Sequence, residues 1–150
     1  ETQGVAKDGA KLVTAVATTS VPKITFLIGG SFGAGNYGMC GRAYDSRFLF
    51  SWPNHQIGIM GGEQAAKTLV EVKEKQLKKQ NAKIDVKVLE KVYADTLEAY
   101  QHQMSAYYAT SQLWDDGIID PIDTRNALGV SISSSMNAPF INQGYGVFRL

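Results

Sequence analysis

Residues Ile28–Arg42 read IGGSFGAGNYGMCGR, and Ile28 is also the last residue of the apolar run Ile24–Ile28. Of the fourteen positions from Gly29 to Arg42, seven are Gly or Ala, so little side chain covers the backbone there. Glycine in such a place lets a ligand or a second segment of chain approach the main chain closely. The stretch predicts a buried strand, then a glycine-rich turn, then a short helix of small residues.

The N-terminal half of the chain predicts an α/β layer. Small apolar residues at helical spacing predict a helix over 5–19, and it ends before Pro22 because proline disfavours helix in the residue that precedes it. The small residues of the opening stretch predict a second, short helix over 35–44. Three apolar runs predict short buried strands, at 24–28, 48–52 and 56–60.

The C-terminal half predicts helices. A helix opens near Glu63, and a break at 81–85 separates it from an amphipathic helix. The apolar stripe of that second helix comprises Val86, Leu89, Tyr93, Leu97, Tyr100, Met104 and Tyr107. A last helix is predicted over 123–136, with Asp123 as its N-cap. Eight lysines lie between 67 and 91, and we expect them to form a solvated face.

Length, composition and charge exclude several classes of protein. The 150 residues, 44% of them hydrophobic, suffice for one globular domain or a part of one. With 15 basic and 14 acidic side chains, neither a nucleic-acid groove nor a membrane surface is expected as a partner. The single cysteine excludes an internal disulfide and a cysteine-based structural zinc site. Because the sequence does not start with Met, we expect a piece of a longer protein.

One motif in the glycine-rich stretch is the dinucleotide fingerprint G-x-G-x-x-G, which Gly33–Gly38 fits. In a true fingerprint the first glycine closes the strand, and an acidic residue for the ribose follows roughly 20 residues later. Here four residues separate Ile28 from Gly33, and the next strand ends in Trp52–Asn54 without a carboxylate. The spacing therefore argues against a dinucleotide site.

A second motif is the nucleophile elbow G-x-S-x-G, which Gly29–Gly33 fits with Ser31 as the nucleophile. A serine hydrolase also needs a histidine, and the sequence contains only His55 and His102. His55 follows Pro53-Asn54 and is expected in an exposed loop, and His102 is expected on a solvated helix face. A serine hydrolase therefore stays a remote alternative.

A third interpretation of the stretch needs no reactive side chain. Backbone N–H groups at the start of a helix can converge on one point and stabilise negative charge there, as an oxyanion hole does. Small residues are required because the anion must reach the peptide plane. The alternative is a tight turn whose glycines only let the helix pack closely on the strand, and these residues alone leave both interpretations open.

Other residues have a structural and a functional interpretation. Cys40 is expected in the core rather than as a reactive thiol. Asp115 and Asp116 are expected to form a turn rather than a metal site, because no third ligand is spaced with them. Gly61-Gly62 opens a helix, where it could present further N–H donors or form a turn without a ligand.

Nine separated segments together resemble the biotin-dependent acyl-CoA carboxyltransferases. The resemblance runs nearly end to end and is closest to the β subunits of methylcrotonoyl-CoA carboxylases, with geranyl-CoA carboxylase β subunits as the alternative. It is least distinctive between Lys67 and Ser105. The segments are Val5–Lys11, Val21–Thr25, Gly29–Tyr44, Trp52–Asn54, Met60–Ala66, Trp114–Pro121, Asp123–Arg125, Asn137–Pro139 and Gly146–Leu150.

The resemblance implies a fold and a domain position. The fold is α/β and crotonase-like (ClpP/crotonase), with ββα units stacked into a superhelix, here as a partial domain with a helical C-terminal half. Residues 1–150 would be the C-terminal part of the carboxyltransferase C-domain, the half that binds carboxybiotin. The N-domain that binds acyl-CoA would be absent, so the isolated fragment is expected to be an inactive interaction module.

The resemblance also implies a reaction and partners. The activity is transfer of CO2 from carboxybiotin to the γ-carbon of 3-methylcrotonoyl-CoA, in leucine catabolism. A partner α subunit carries the biotin and uses ATP and bicarbonate, and other β subunits complete a homo-oligomeric core, expected to be a hexamer. The compartment would be the cytoplasm in a bacterium or the mitochondrial matrix in a eukaryote.

Two sets of site residues follow from the resemblance. The backbone N–H groups of Ala34 and Gly35 would form the oxyanion hole for the biotin carbonyl. Many relatives have Gly-Ala where this sequence has Ala-Gly, and the donation by the backbone survives that exchange. Ser31, Phe32 and Gly33 would line the biotin pocket. No metal site is expected.

Overall fold

The computed structural model describes residues 4–80 and 85–139. Helices alternate with short strands in the first part of the chain, and helices dominate the rest. In chain order the elements are α1 (Val5–Thr18), β1 (Ile24–Leu27), β2 (Gly30–Phe32), α2 (Gly33–Gly38), β3 (Phe48–Ser51), β4 (Gln56–Gly58), α3 (Gly62–Lys79), α4 (Val86–Gln103), α5 (Ala106–Ser111), β5 (Gly117–Ile118) and α6 (Thr124–Ser135).

Within the described ranges, five strands form two small parallel sheets. The first has the order β1-β3-β5, with Ile24 opposite Phe48 and Phe50 opposite Gly117. The second consists of β2 and β4 alone, with Gly30 opposite Gln56. The chain passes twice from the first sheet to the second, because β1 is followed by β2 and β3 by β4.

Aromatic packing and small buried residues hold the first sheet and its neighbouring helices together. The rings of Phe26 and Phe50, on paired strands, lie with centroids 5.5 Å apart. Such pairs contribute roughly 0.5–1.5 kcal/mol beyond the area they bury. The buried apolar residues of the described ranges are Leu27, Cys40, Leu49, Ala65, Ala66, Met104, Ala106 and Ala109.

Helices α3 and α4 pack against each other as a hairpin. The start of α3 meets the end of α4, since a Cβ built on Gly62 would lie 3.4 Å from side-chain atoms of Leu97 and of Tyr100. Six of the seven lysines described here are exposed, and Lys73 is half-buried. This confirms the solvated face for those six, while Lys83 lies outside the described residues.

Strand β2 was not predicted from the sequence. The glycine-rich stretch was expected to turn directly after Ile28, and residues 56–60 were expected to form a third buried strand. Instead, Gly30–Phe32 is itself a strand and pairs with β4, which ends at Gly58. Gly and Ser have low strand propensity, so the hydrogen bonds of a partner strand, not local preference, create this element.

The helix predicted over 35–44 was wrong in its bounds. Helix α2 begins two residues earlier and ends at Gly38, because Cys40 adopts a left-handed backbone conformation with φ of 57°. The hydroxyl of Thr25 donates to the Cys40 carbonyl at 2.9 Å and fixes this bend against β1. A single 3-10 turn follows at Arg42–Tyr44.

The long amphipathic helix was predicted to reach Tyr107, and that prediction was wrong. Helix α4 ends at Gln103, and Ser105 caps a new helix by accepting a hydrogen bond from the N–H of Tyr108 at 3.2 Å. Tyr107 is therefore 65% exposed instead of continuing the apolar stripe. A serine N-cap can interrupt a helix without disturbing the spacing of the apolar residues around it.

The first and last helices match their predictions closely. Helix α1 ends one residue before the predicted Thr19, and α6 lies inside the predicted range 123–136. Asp123 occupies the N-cap position of α6, but its side chain caps no N–H group there; Asp120 caps the preceding turn instead, accepting from the N–H of Ile122 at 3.0 Å. Within the described ranges, none of the helices has the length and apolar content to cross a bilayer.

The predicted turn at Asp115 and Asp116 also anchors the helical half to the first sheet. One carboxylate oxygen of Asp115 accepts from the hydroxyl of Ser51 at 2.5 Å, and the other accepts from the hydroxyl of Thr110 at 2.8 Å. Asp116 accepts from the N–H of Leu49 at 2.8 Å. These bonds link β3, α5 and the start of β5, so the two carboxylates have a structural role.

We expect Asp115→Ala to lower the free energy of unfolding by about 2 kcal/mol, because the fully buried Ser51 hydroxyl loses its acceptor. Urea denaturation followed by tryptophan fluorescence measures this loss. Asp123→Ala is the matched control, since its carboxylate caps no N–H group of α6, and its effect should stay within about 0.5 kcal/mol. Equal losses in the two variants would contradict the anchoring role.

Candidate functional site

The turn between β2 and α2 depends on Gly33. Its φ is +53°, in the left-handed region that non-glycine residues rarely adopt. A Cβ at this position would also lie 3.0 Å from the carbonyl oxygen of Ile59, just beyond the end of β4. Glycine therefore allows both the turn and the close approach of the β4 backbone.

The first N–H groups of α2 are free to bind an external acceptor. In any helix the first turn has no acceptors of its own for these groups. The N-cap residue, Phe32, has an apolar side chain and cannot compete for them. Ala34 and Gly35 are both exposed, and a Cβ at Gly35 would have no other group within 4 Å. The arrangement suits stabilisation of a negative oxygen atom.

Two open grooves flank this turn. One, of about 550 Å³, runs along β1 and includes Ser31, Phe32, Gly35 and Met39. The other, of about 300 Å³, lies beside Gly33 and is lined also by Asn36, Tyr37, Arg42, Ala43, Ile57, Gly58 and Ile59. The structure thus places Ser31, Phe32 and Gly35 on one groove and Gly33 on the other, while Ala34 lines neither of these two.

Ser31 does not have the surroundings of a nucleophile. It lies in the middle of β2 rather than at a sharp turn, and its hydroxyl accepts from the side-chain amide of Asn36 at 2.8 Å. Among the described residues, neither histidine hydrogen-bonds to Ser31. His102 is exposed on α4 and packs edge-on against the ring of Tyr108 at 5.6 Å.

His55 was expected in an exposed loop, and that prediction was wrong. The residue is 1% exposed, and its Nδ1 lies 2.7 Å from the carbonyl oxygen of Gly29. A carbonyl only accepts, so Nδ1 carries the proton. Nε2 is buried and has no hydrogen-bond partner among the residues that the structure describes. One signal for burial was the run 56–60 directly after His55, which was predicted as a buried strand, but Pro53-Asn54 on its other side favoured exposure.

Burial lowers the pKa of His55 below its ordinary value near 6.5. The hydrogen bond to Gly29 and the negative charge of Asp115 act in the opposite direction and are smaller effects. The ring is therefore neutral in the folded protein at neutral pH. Within the described ranges, His55 does not belong to any group of three or more His, Cys, Asp or Glu side chains that could hold a metal ion.

Cys40 and Gly61 lie where the sequence predicted. Cys40 is 6% exposed, and its thiol lies 3.9 Å from the carbonyl oxygen of Tyr44, which confirms its place in the core. Gly61 is the N-cap of α3, and its carbonyl accepts from the N–H of Ala65 at 3.0 Å.

This chain belongs to the carboxyl transferase domain family, which it matches over residues 1–144. It is 49% identical over 150 residues to a probable mitochondrial methylcrotonoyl-CoA carboxylase beta chain of Drosophila melanogaster, and 52% identical to a biotin-dependent 3-methylcrotonyl-coenzyme A carboxylase beta1 subunit of Mycobacterium tuberculosis. All of this chain is covered in both cases, but only 26% and 28% of the relatives. The chain therefore spans about a quarter of their length.

Solved structures agree with this assignment. The beta subunit of Pseudomonas aeruginosa geranyl-CoA carboxylase superposes with a TM-score of 0.80 at 43% identity, covering 99% of this chain and 28% of that one. A transcarboxylase 12S structure, described as a hexamer assembly, superposes with a TM-score of 0.76 at 25% identity, covering 98% of this chain and 26% of that one. The chain has the crotonase-like fold of these subunits, which confirms the fold and the family expected from the sequence. The roles of Ala34, Gly35 and the pocket residues stay predictions.

We expect stability to fall as pH drops below about 6.5, the ordinary pKa of histidine in an unfolded chain. Because the folded pKa of His55 is lower, only the unfolded chain binds the proton in this window. Thermal midpoints of the subunit that contains this chain, measured from pH 8 to pH 5.5, test the slope. His55→Asn should flatten it, since asparagine does not titrate; an unchanged slope would show that other groups cause it.

Proposed function

We propose that the protein containing this chain is the carboxyltransferase β subunit of a biotin-dependent acyl-CoA carboxylase, acting on 3-methylcrotonoyl-CoA. The observation that carries the proposal is identity near 50% along the whole chain to methylcrotonoyl-CoA carboxylase beta chains from an insect, an amoeba, a plant and a bacterium. The product would be the acyl chain carboxylated at its γ-carbon, a step of leucine catabolism.

The residues at the start of α2 fit a biotin carbonyl. Ala34 and Gly35 are exposed, their N–H groups lack helical acceptors, and the space beside Gly35 is open. When bound, carboxybiotin supplies the CO2 that is transferred. Ala34 and Gly35 would hold the ureido carbonyl oxygen and stabilise negative charge on it. Of the proposed pocket residues, Ser31 and Phe32 would line the groove that includes Gly35, and Gly33 would line the neighbouring groove. This role needs no nucleophilic side chain, in keeping with the Ser31 hydroxyl being hydrogen-bonded to Asn36.

The rest of the assembly follows from the same proposal. Residues 1–150 would be the C-terminal part of the C-domain, and the acyl-CoA-binding N-domain would lie in the remainder of the subunit. An α subunit would carry biotin and use ATP and bicarbonate, and β subunits would assemble into a hexamer. The compartment would be the bacterial cytoplasm or the mitochondrial matrix, the latter in line with the mitochondrial names of the eukaryotic relatives.

A second candidate substrate is geranyl-CoA. The superposition on the geranyl-CoA carboxylase beta subunit favours it, at 43% identity. The identities of 48–52% to methylcrotonoyl-CoA carboxylase beta chains favour the shorter substrate. Both candidates share the reaction and the site.

We expect the full-length subunit, with its α partner, biotin and ATP, to carboxylate 3-methylcrotonoyl-CoA in preference to geranoyl-CoA and propionyl-CoA. Bicarbonate-dependent incorporation of label measures the three values of kcat/KM. Preference for geranoyl-CoA would keep the reaction and change the substrate. Failure with all three substrates would overturn the proposed function.

Residues 1–150 alone should not carboxylate any acyl-CoA, because the proposed acyl-CoA half of the site lies in the rest of the subunit. Purified fragment, supplied with free carboxybiotin and 3-methylcrotonoyl-CoA, provides the test. The fragment should act only as an interaction module. Measurable turnover would contradict the proposed division of the site.

Ala34→Pro should lower kcat by about 100-fold to 1,000-fold, the usual cost of losing one oxyanion-hole donor. Proline removes the N–H group without breaking a helical hydrogen bond, since the first turn makes none through it. Val86→Pro is the matched control. It places proline at the first position of α4, after an extended Asp85, and should retain activity.

A further inference from the structure

His55 lies where the chain passes from the first sheet to the second. Residues Trp52–His55 connect β3 to β4, and residues Ile28–Gly29 make the parallel passage from β1 to β2. The imidazole bridges the two passages, because Nδ1 donates to the Gly29 carbonyl at 2.7 Å. The N–H of Gln56 donates to the same oxygen at 3.1 Å.

The neighbours of His55 extend this connection to three consecutive carbonyls. The N–H of Trp52 donates to the carbonyl of Leu27 at 2.9 Å, and the side-chain amide of Asn54 donates to that of Ile28 at 3.3 Å. Of the two side-chain contacts, the one made by His55 is shorter, and His55 is 1% exposed, whereas Asn54 is exposed. Of these two side chains, His55 is therefore the one that is shielded from solvent.

The two strands that begin at these passages end at the glycine-rich turn. Strand β2 runs parallel to β4 for three residues, from Gly30 opposite Gln56 to Phe32 opposite Gly58. Directly beyond, Gly33 approaches the carbonyl of Ile59. Both strands are only three residues long, so we expect a displacement of the backbone at the His55 end to produce a displacement of similar size at the turn. The position of the Ala34 and Gly35 N–H groups therefore depends on how the ribbon is fixed at its start.

We propose that His55 is a positioning residue for the turn that bears Ala34 and Gly35: its Nδ1–H bond to Gly29 fixes the β2–β4 ribbon and so fixes the two N–H donors. This inference rests on the proposed function, because it assigns His55 to the same site. Because it is 1% exposed, His55 would touch neither the acyl-CoA nor the biotin carbonyl. It acts through the backbone of β2.

The surroundings of His55 add a pH dependence to this role. The charged group that influences the ring is Asp115, whose two oxygens already accept from Ser51 and Thr110. A proton on Nε2 would have no acceptor among the described residues. Protonation at low pH therefore disfavours the buried position of the ring, and the fixed ribbon with it.

A pair of near-isosteric variants tests the hydrogen bond itself. In His55→Asn the side-chain amide nitrogen takes the place of Nδ1 and can donate to Gly29, whereas in His55→Gln the amide lies one bond farther out, near the position of Nε2. His102→Gln is the control on the exposed histidine. The full-length subunit with its α partner is used throughout, and kcat, KM for acyl-CoA and amide hydrogen exchange of peptides spanning 30–35 are measured.

We expect His55→Gln to lower kcat by about tenfold or more, since small displacements of a site group have effects of this size. KM for acyl-CoA should stay within about twofold, because the displaced donors face the biotin carbonyl in the proposed site. Exchange over 30–35 should accelerate in the same variant. His55→Asn should restore both kcat and slow exchange, and its activity should fall less steeply than the wild type below pH 6.5.

Two results would overturn the inference. One is wild-type kcat and exchange in His55→Gln; the other is equal impairment of His55→Asn and His55→Gln, which would mean that the bond to Gly29 is not what matters. If the wild-type subunit carboxylates no acyl-CoA, the proposed function fails. In that case the exchange rates over 30–35 still decide whether His55 fixes the ribbon.

Discussion

The parallel pairing of β2 with β4 is the constraint on which the glycine-rich turn depends. Three paired residues on each strand determine where α2 begins. At Gly33 the backbone is left-handed, and a Cβ added there would lie 3.0 Å from the carbonyl oxygen of Ile59, so the position favours glycine over any residue with a side chain. Strands β2 and β4 each contain one large apolar side chain, which is too few to stabilise the pair without other contacts. The ribbon is instead fixed at its start by hydrogen bonds to the carbonyls of residues 27–29. The position of the turn therefore depends on hydrogen bonds made about five residues earlier in the chain.

Much of the architecture could be predicted from periodicity, and the failures have physical reasons. Helices α1 and α6 and strands β1 and β3 appear where apolar spacing placed them, because each is bounded by a strong breaker such as Pro22 or Pro53. The stripe through Tyr107 misled because Met104 keeps the spacing while Ser105 restarts the helix. Strand β2 could not be predicted because glycine and serine have low strand propensity. The strand forms only because it pairs with β4, which lies more than twenty residues further along the chain.

The candidate site shows the same division between local and tertiary information. The resemblance pointed to Ala34 and Gly35, whose role stays a prediction, and the structure adds that their N–H groups lie in the first turn of a helix with an apolar N-cap. His55 could not be placed from its neighbours, because the turn Pro53-Asn54 normally signals exposure, and the ring is buried by segments far along the chain. Asp115 was likewise expected only to form a turn. Its bonds to Ser51 and Thr110 join segments separated by 64 and by 5 residues, and the longer link has no sequence signature.

The proposed use of main-chain donors has a consequence for how this sequence can diverge. A peptide N–H is supplied by every residue except proline, so natural selection acts at position 34 on size and backbone freedom rather than on chemical identity. Gly33 is different, because both its φ and its distance from the β4 backbone demand glycine. Adjacent positions of one turn therefore have opposite tolerances to substitution, and an exchange of Ala and Gly at 34 and 35 can accumulate between lineages without a change of chemistry.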